Sequence, residues 1–454
     1  MIKILTNFFK LKKFLVLFFA TSRPLFFFGS AILIASAICI LLYPGTFSPD
    51  SFSQLKQAEE NSYRTWHPVI MAITMHYLLP LVGGLFVLHQ FIYWLSLALI
   101  IDSLFRRKIF YLLIGFFPPI FLLTIEIWKD SGMLVSGMLS FACLLQFQKN
   151  KKYKYIVIGI ISILYASCVR SNAIIATSLL IGSAFVIYFG AKSCLLKKSI
   201  FFLSGALSIV VLTIMTNAFL EKAYNAKENN LLPALLLWDI AGICHFSGKT
   251  FEIPEYIEII DKEKSIKWHE RYVSYSNSIC WGSGISCNIN EKNKTLTILK
   301  DWFNFIKEEP LAYLQHRIRY TKVLFSIQKS VYYPYHGYSE NRQQGSSFFP
   351  SLLGSKFFSL LQKAAKFTQD LFLYHAITWI IVLIVILIFK IKKFLGGAIY
   401  SFKDKISVML CLSGLANAFS LTIIGPAADY RYMIWTVFSG VMCLGILSST
   451  KELP

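Results

Sequence analysis

Residues 25–43 read LFFFGSAILIASAICILLY, an unbroken apolar run without a charged side chain. A helix that crosses a bilayer needs roughly 20 such residues, so this run predicts a membrane-spanning helix. The small triplet Ala35-Ser36-Ala37 resembles a signal-peptidase site, but further apolar residues follow it. We therefore expect an uncleaved signal anchor rather than a cleaved secretory signal peptide.

The whole chain shares the apolar character of this first run. Of its 454 residues, 56% are hydrophobic and only 15% are charged, and the mean hydropathy is +0.57. Soluble domains carry roughly 25% charged residues, so the composition excludes a soluble globular protein. The net charge of +21 would suggest nucleic acid in a soluble chain. Here the basic residues form short clusters between apolar runs, which is typical of membrane topology, and we predict no nucleic-acid partner.

Ten apolar segments are long enough to be predicted as membrane-spanning helices. They cover residues 25–43, 85–104, 109–126, 131–147, 155–169, 174–191, 199–219, 372–390, 404–424 and 432–448. A further apolar run at 68–80 is short and ends at Pro80. We predict that it forms a helix that lies at the interface or half-enters the membrane.

The Lys and Arg clusters predict the orientation through the positive-inside rule. With a cytoplasmic N-terminus, the inner segments hold the clusters around Lys12, Arg106, Lys151, Lys197 and Lys392, whereas the short outer loops hold only Lys56, Arg64, Lys129, Arg170 and Arg431. Treating 68–80 as a full span would place every later cluster on the wrong side. We therefore expect both termini in the cytoplasm.

Three regions follow from this topology. Residues 1–219 form an N-terminal membrane module with seven spans, 220–371 form a mixed extracytoplasmic domain, and 372–454 form a C-terminal module with three spans. The middle region holds most of the acidic residues and a predicted helical stretch near 296–325. It also contains Cys280 and Cys287, whose spacing allows a local disulfide on an oxidising face but does not require one.

Ionisable and polar side chains gather at the predicted outer ends of the spans. Such groups are costly at membrane depth and usually mark function, so we predict that they meet in one cavity at the outer boundary. They are Asp50, His67, Glu126, Lys129, Asp130, Arg170, Asn172, Asp239, His245, Asp429, Arg431 and Tyr432.

Structural roles are the alternative for the same residues. These are a helix N-cap for Asp50, a helix-end pair for Lys129 and Asp130, snorkelling to headgroups for Arg170 and Arg431, and a turn residue for His67. His76 and His89 lie on apolar helix faces, where packed histidines are the expectation.

Several short motifs carry a resemblance to a known class. PGTFSPDSFSQLKQA at 44–58, RTWHPVI at 64–70, IWKD at 127–130, VRSNA at 169–173 and a late RY at 431–432 occur in this order. Together they resemble the GT-C class of integral membrane glycosyltransferases, within it a poorly characterised bacterial group. The resemblance covers most of the chain and is weakest over 246–300.

The resemblance implies transfer of a sugar from a polyprenyl-phosphate carrier to a cell-envelope acceptor such as a lipopolysaccharide or another glycan or lipid. It places the protein in the bacterial cytoplasmic (inner) membrane, in contact with membrane lipids. An attacking acceptor hydroxyl must lose a proton, for which a carboxylate serves as general base, and Asp50 suits this role. The leaving phosphate needs fixed cations, for which Lys129, Arg170 and Arg431 are suited.

Asp130 has two possible roles in this scheme. It either contacts the acceptor as a second carboxylate or joins Asp50 in holding a divalent metal ion, since the class includes members with and without metal. His67, Asn172, Asp239, Asp429 and Tyr432 complete the predicted substrate site. One departure is clear: the paired acidic motif that some members have in the first loop is here the single Asp50.

Two other functions compete with glycosyl transfer. An O-antigen polymerase or ligase would use Arg271, His316, Arg317 and Arg319 in the large outer region and would give Asp50 no role. A lipid or solute transporter is the second, although transporters often show internal repeats and broken helices, and the sequence shows no internal repeat.

Overall fold

The computed structural model describes residues 24–81, 83–105, 109–190, 194–255, 257–265, 268–277, 279–280, 284–287, 289–327, 352–368 and 370–449. Over these ranges the chain is helical, and its β-structure consists of isolated bridges such as the one between Thr46 and Glu126. The predicted all-α class is therefore confirmed at this level. The two ends of the chain lie outside the described residues, so their orientation stays a prediction.

The N-terminal half contains ten α-helices and one 3-10 segment among the described residues. The helices are α1 (Pro24–Leu42), α2 (Pro49–Glu59), α3 (Val69–Tyr77), α4 (Gly84–Leu104), α5 (Pro118–Thr124), α6 (Lys129–Asn150), α7 (Lys154–Val169), α8 (Ala173–Phe189), α9 (Leu195–Ala223) and α10 (Leu232–Ser247), and the 3-10 segment is Ile109–Phe116.

The C-terminal half begins with irregular chain and short turns. Its described helices are α11 (Lys262–Ser265), α12 (Lys292–Glu308), α13 (Pro310–Leu324), α14 (Leu352–Thr368), α15 (Ala376–Leu395), α16 (Phe402–Ile424) and α17 (Ile434–Ser448), with 3-10 turns at Trp268–Arg271, Phe372–Tyr374 and Tyr430–Met433.

Six helices in the described part of the chain are long and apolar enough to cross a membrane. They are Pro24–Leu42, Gly84–Leu104, Lys129–Asn150, Leu195–Ala223, Phe402–Ile424 and Tyr430–Ser448. Helices of this length and composition indicate a membrane protein. They correspond to six of the ten predicted spans, and the number ten stays a prediction.

The other four predicted spans differ from these six in length or continuity. Helices α7 and α8 are apolar but have only 16 and 17 residues, and α15 has 20 residues but carries lysines in its last turn. The predicted span at 109–126 is wrong as a single helix. It is a 3-10 segment followed by the short α5, because Pro118 and Pro119 interrupt the run and proline cannot continue a helix through its own backbone nitrogen.

Burial shows which helices occupy the centre of the bundle. The core window of α6 is 83% buried, whereas that of α9 is 17% buried and exposes leucine, isoleucine and phenylalanine along its length. Apolar exposure on this scale is unfavourable in water and favourable in acyl chains. Helix α6 packs against α4 and α7, while α9 lies at the edge against α8.

Helices α10, α12 and α13 lie within residues 220–371 and pack against one another. The apolar residues from Leu232 onward form α10, and the predicted helical stretch becomes two helices that break at Glu309 and Pro310. Cys280 and Cys287 form a disulfide, which resolves the alternative that their spacing left open.

Candidate functional site

The first loop is fastened to the segment that precedes α6. The Thr46 amide donates to the Ile125 carbonyl at 3.2 Å, and the Ile127 amide donates to the Thr46 carbonyl at 3.0 Å. The buried Ser51 hydroxyl also donates to the Ile127 carbonyl. Two segments far apart in sequence are thereby held side by side, which places Asp50 near the start of α6.

The start of α2 fixes Asp50 within the first helical turn. Ser48 is the N-cap, and its hydroxyl accepts from the Ser51 amide at 3.2 Å, with Pro49 as the first helical residue. Proline is favoured there because its missing N–H would have no helical partner. Asp50 is therefore not the N-cap, and its carboxylate is free to face other groups.

His67 lies between Asp50 and Lys129. The Lys129 ammonium donates to His67 Nδ1 at 2.5 Å, and His67 Nε2 lies 3.7 Å from the nearer Asp50 oxygen. An imidazole that accepts at Nδ1 is neutral and carries its proton on Nε2, so the hydrogen-bond pattern assigns the N–H that faces Asp50. Both Lys129 and His67 are buried.

Asp130, the second residue of α6, faces two arginines. One carboxylate oxygen lies 3.1 Å from Arg170 Nε, and the other lies 3.8 Å from Arg431 Nε. The predicted pair between Lys129 and Asp130 does not form, since each side chain has another partner. Arg170 follows the last residue of α7 and stacks on the Tyr432 ring, 4.3 Å from its centre.

Arg431 is the centre of the cluster. Its guanidinium lies 2.8 Å from Asp429, 3.6 Å from Asp50 and 3.8 Å from Asp130. It also covers the Trp128 ring at 4.6 Å, a cation–π arrangement that favours a desolvated guanidinium. The structure thus brings together residues from four separate segments of the chain, as the sequence analysis expected of Asp50, Asp130, Arg170 and Arg431.

The loop that carries Arg431 is held from several sides. The Ala428 amide donates to the Tyr275 carbonyl at 2.8 Å, and Tyr320 and Arg317 donate to the carbonyls of Ala427 and Gly425. A side chain at Gly425 would collide with the Tyr320 hydroxyl, so glycine permits this close approach. The helical region between the membrane modules therefore sets the position of Arg431.

The protonation states of the outer groups follow from their surroundings. Burial opposes ionisation of Asp50, but Lys129 and Arg431 outweigh it, so the pKa of Asp50 lies below its usual value. Burial and the Lys129 charge lower the pKa of His67 to about 3. Burial raises the pKa of Asp429 despite the neighbouring Arg431. At neutral pH, Asp50 is a carboxylate and His67 is neutral.

Several polar atoms of this cluster lack a hydrogen-bond partner in the described part of the chain. They are one Asp130 oxygen, Nε1 of Trp128 and one Glu126 oxygen, all buried. Nε of Arg170 and Nε of Arg431 form ion pairs with the Asp130 and Asp429 carboxylates at 3.1 and 2.8 Å without meeting the geometry of a hydrogen bond. Buried polar groups in folded proteins are nearly always hydrogen-bonded. The cluster therefore retains hydrogen-bonding capacity, and Asp50, 36% exposed at its side chain, borders solvent.

Three predicted members need separate comment. Asp239 is bonded to His316, Arg317 and Trp302 rather than to the Asp50 cluster, because α10 packs it against α13 and α12. Asn172 occupies the N-cap position of α8 without a side-chain cap bond. His245 stacks near Phe246 and Tyr272, away from the cluster.

The Asp239 cluster is closed. Its carboxylate accepts from Trp302 at 2.9 Å, His316 at 2.9 Å and Arg317 at 2.7 Å, and His316 Nδ1 contacts the Tyr272 hydroxyl at 2.7 Å. His316 and Arg317 are two of the four residues that the polymerase hypothesis uses, and both are buried. They act here as internal partners of Asp239.

Arg431 lies between the two carboxylates. Its guanidinium is 3.6 Å from Asp50 and 3.8 Å from Asp130, and the described residues contain no group of three or more His, Cys, Asp or Glu placed to hold a metal. The guanidinium supplies positive charge between Asp50 and Asp130.

A small, open apolar pocket with a cavity volume of about 20 Å³ lies beside the cluster. It shares two segments with the charged site: Phe47 and Leu55 flank Asp50, and Ile127 precedes Trp128 and Lys129. The remaining lining residues are Met75, Leu78, Leu79, Leu81, Gly83, Gly84 and Leu85. A charged site and an apolar pocket are therefore adjacent.

No protein-family model, curated protein or solved structure matches this chain. The function is therefore inferred from the geometry of the site.

Sequence reasoning missed the residues that build the site without touching its centre. Thr46, Ser51, Tyr320 and Gly425 hold the first loop and the Arg431 loop through backbone contacts. Such contacts depend on which segments lie next to each other in the fold, and no sequence motif predicts them. Trp128 could have been predicted as a site residue, because it directly precedes Lys129 and Asp130 in the sequence.

Proposed function

We propose that this protein is a membrane glycosyltransferase that moves a sugar from a polyprenyl-phosphate carrier to a cell-envelope acceptor. The observation that carries the proposal is one partly exposed, ionised Asp50 facing fixed cations of the same site. Arg431 and His67 lie 3.6 and 3.7 Å from its oxygens, and Lys129 lies behind His67. A base and an anion-binding group are thus within reach of one small substrate.

The proposed reaction exchanges one bond at the anomeric carbon. The acceptor oxygen attacks this carbon and gives its proton to the Asp50 carboxylate. The bond from the anomeric carbon to the phosphate oxygen breaks, and the phosphate leaves with the electron pair. By analogy with glycoside hydrolysis, the transition state is oxocarbenium-like.

The cations have the chemistry that the leaving phosphate requires. Arg431 and Arg170 offer planar guanidinium groups, whose forked N–H donors suit bidentate contact with phosphate oxygens. Both are fixed by aromatic rings and carboxylates before substrate binds. Preorganised charge of this kind stabilises a transition state without a reorganisation cost.

The apolar pocket supports a lipid-linked donor over a water-soluble one. Its lining is aliphatic and aromatic and continues directly into the segments that carry Asp50 and Lys129. A prenyl chain that lay against this apolar lining would place its phosphate toward the cations. A transfer of this kind needs no nucleotide sugar.

We further propose that the protein lies in a bacterial cytoplasmic membrane with both termini inside and the Asp50 site outside. The lysine clusters between spans support this orientation, and the disulfide in the 220–371 region is typical of an oxidising compartment. Impermeant thiol labelling of a single cysteine replacing Glu308, whose side chain is 62% exposed, should succeed in intact cells. Labelling only after permeabilisation would contradict the orientation.

The proposed function is tested by glycan analysis of cells without the gene, complemented with variants. Asp50→Asn preserves shape and, since Ser48 caps α2, leaves the helix start intact. The amide cannot accept a proton, and a base whose pKa is lowered is a weak one. We therefore expect transfer to fall by about 100-fold, the lower end of the range for general-base catalysis.

The matched control is Glu59→Gln, which removes an exposed carboxylate from the same helix. It should restore the full glycan profile. Normal transfer by Asp50→Asn at equal expression would remove Asp50 as the base. An unchanged glycan profile in cells without the gene would overturn glycosyl transfer itself.

A further inference from the structure

Helices α12 and α13 expose apolar side chains at the same spacing. On α12 these are Leu296, Leu299 and Phe303, with exposed fractions of 46%, 36% and 62%. On α13, Leu311, Leu314 and Ile318 repeat the i, i+3, i+7 pattern and are 73%, 53% and 45% exposed. This spacing places each set on one helix face.

These faces are not the ones that build the core. An adjacent face of α12, rotated by about 100°, packs inward through Thr295, Ile298 and the half-buried Trp302. Helix α13 packs inward through Ala312, His316 and Tyr320. Both helices are therefore apolar on two sides. Soluble surfaces rarely leave contiguous apolar patches of this kind uncovered.

Basic residues are interleaved with the exposed apolar ones. At the helical period, Lys292, Lys300 and Lys307 share the outer face of α12 with its leucines and phenylalanine, and Lys322 shares that of α13. Lysine on an apolar helix face is typical of segments that lie on anionic lipid, because its stem packs on apolar surface and its ammonium reaches the headgroups.

Helix α13, against which α12 packs, is attached to the ends of two apolar helices, α15 and α16. The Ile377 amide at the start of α15 donates to the Phe325 carbonyl at 2.8 Å, and Phe325 contacts the Phe419 ring of α16. Exposed Ile423 and Ile424 end α16, which itself packs against α13. The exposed apolar surface of the membrane helices therefore continues onto this helix pair.

We infer that the outer face of α12 and α13, defined by the six apolar residues and four lysines above, lies on the membrane surface and binds anionic lipid headgroups. A second copy of the chain fits less well, since a two-fold interface would bring the same lysines against each other. This inference does not depend on glycosyl transfer.

The test uses the full chain in nanodiscs that contain phosphatidylglycerol. In a Cys194→Ser background, which removes the exposed free cysteine, single cysteines Phe303→Cys and Leu314→Cys carry a bimane label. The matched control is Thr297→Cys, an exposed position of α12 off the apolar stripe. Lipids with a quencher attached near the headgroup should quench the first two labels several-fold more than the control.

Two further measurements distinguish contact of this face with the membrane from contact with a second copy of the protein. Lys300→Glu with Lys307→Glu should reduce the quenching in phosphatidylglycerol discs and leave it unchanged in phosphatidylcholine discs. Equal quenching at all three labelled positions would overturn the inference. Bimane signals that ignore the lipid quencher but change with the number of protein copies per disc would also overturn it, in favour of self-association.

Discussion

The acidic clusters around Asp50 and Asp239 contain similar residues in different states. At Asp239, the carboxylate receives hydrogen bonds from tryptophan, histidine and arginine, and its exposure is 1%. At Asp50, the carboxylate borders solvent, and the Arg431 guanidinium and the neutral His67 ring lie at 3.6 and 3.7 Å rather than at hydrogen-bond distance. A closed cluster stabilises a fold, whereas an open one has capacity for a ligand.

The difference explains why the residue types alone do not identify the site. Aspartate, histidine and arginine occur in both clusters, and sequence reasoning assigned Asp239 to the substrate. What separates them is the carboxylate itself: the Asp50 side chain is 36% exposed, with the Arg431 guanidinium 3.6 Å away, whereas the buried Asp239 carboxylate accepts three hydrogen bonds. A carboxylate that borders solvent beside positive charge has capacity for a ligand, which favours a functional explanation of the Asp50 cluster.

The largest expected effect is the loss of the central cation of the open cluster. Arg431→Ala should lower transfer by about 100–1000-fold, the range seen when one preorganised charge-stabilising donor is removed. Arg431→Lys should recover part of the rate, because lysine keeps the charge and loses the bidentate contact. The measurement is the rate of glycan formation at matched expression.

Arg319→Ala is the control for Arg431, since Arg319 is an exposed arginine of α13. The polymerase hypothesis gives Arg319 a role, and the transferase hypothesis does not. Full activity in the Arg431 variants together with loss in Arg319→Ala would reverse the assignment of the two clusters.

The closed cluster should respond in stability. Asp239→Asn leaves the Arg317 charge buried without its partner, and breaking a buried pair in this way costs about 3–5 kcal/mol. Asp50→Asn should change stability little, because Asp50 is partly exposed. Thermal unfolding of both variants in the same detergent makes the comparison. A larger loss of stability in Asp50→Asn would show that the open cluster is the structural one.

Acidification should separate stability from activity at the open cluster. The unfolded His67 takes up a proton near pH 6.5, whereas the folded one resists until about pH 3, so stability is present above pH 6.5 and lost as pH falls. The slope contributed by His67 is at most about 1.4 kcal/mol per pH unit, and His67→Asn should remove it from the unfolding curve.

The activity of the folded protein should stay level from pH 7 to 5 over the same window. Burial raises the pKa of Asp50, but Lys129 and Arg431 lower it more, so its carboxylate stays ionised. An acid limb near pH 6.5 that His67→Asn abolishes would show that His67 ionises in the working enzyme.

The smallest expected effect is that of metal removal. Because Arg431 supplies the charge between Asp50 and Asp130, we expect the rate to be unchanged by EDTA in membranes washed free of divalent ions. A rate that collapses on chelation and returns with Mg²⁺ or Mn²⁺ would place a metal ion in the open cluster.

The sequence predicted the helical class and the meeting of Asp50, Asp130, Arg170 and Arg431 because apolar runs and sidedness are local signals. The prediction of a single helix at 109–126 was wrong, because Pro118 and Pro119 interrupt a segment that is apolar throughout. The assignment of Asp239 depends on packing between α10, α12 and α13, which residue types do not encode. Short-range sequence patterns therefore located the cluster, whereas the partner of each charged side chain became clear only from the three-dimensional structure.

The backbone hydrogen bonds between Thr46 and the segment before α6 make two stretches that are distant in sequence depend on each other for their structure. Residues 44–60 carry Asp50, residues 118–130 carry Lys129 and Asp130, and their backbones are paired. In a chimaera between this chain and a homologue, exchanging only one stretch would join backbones that did not evolve together. Exchanging both stretches should transfer the preference for the sugar donor. If chimaeras with one exchanged stretch work as well as those with both, the backbone pairing does not depend on matched sequences.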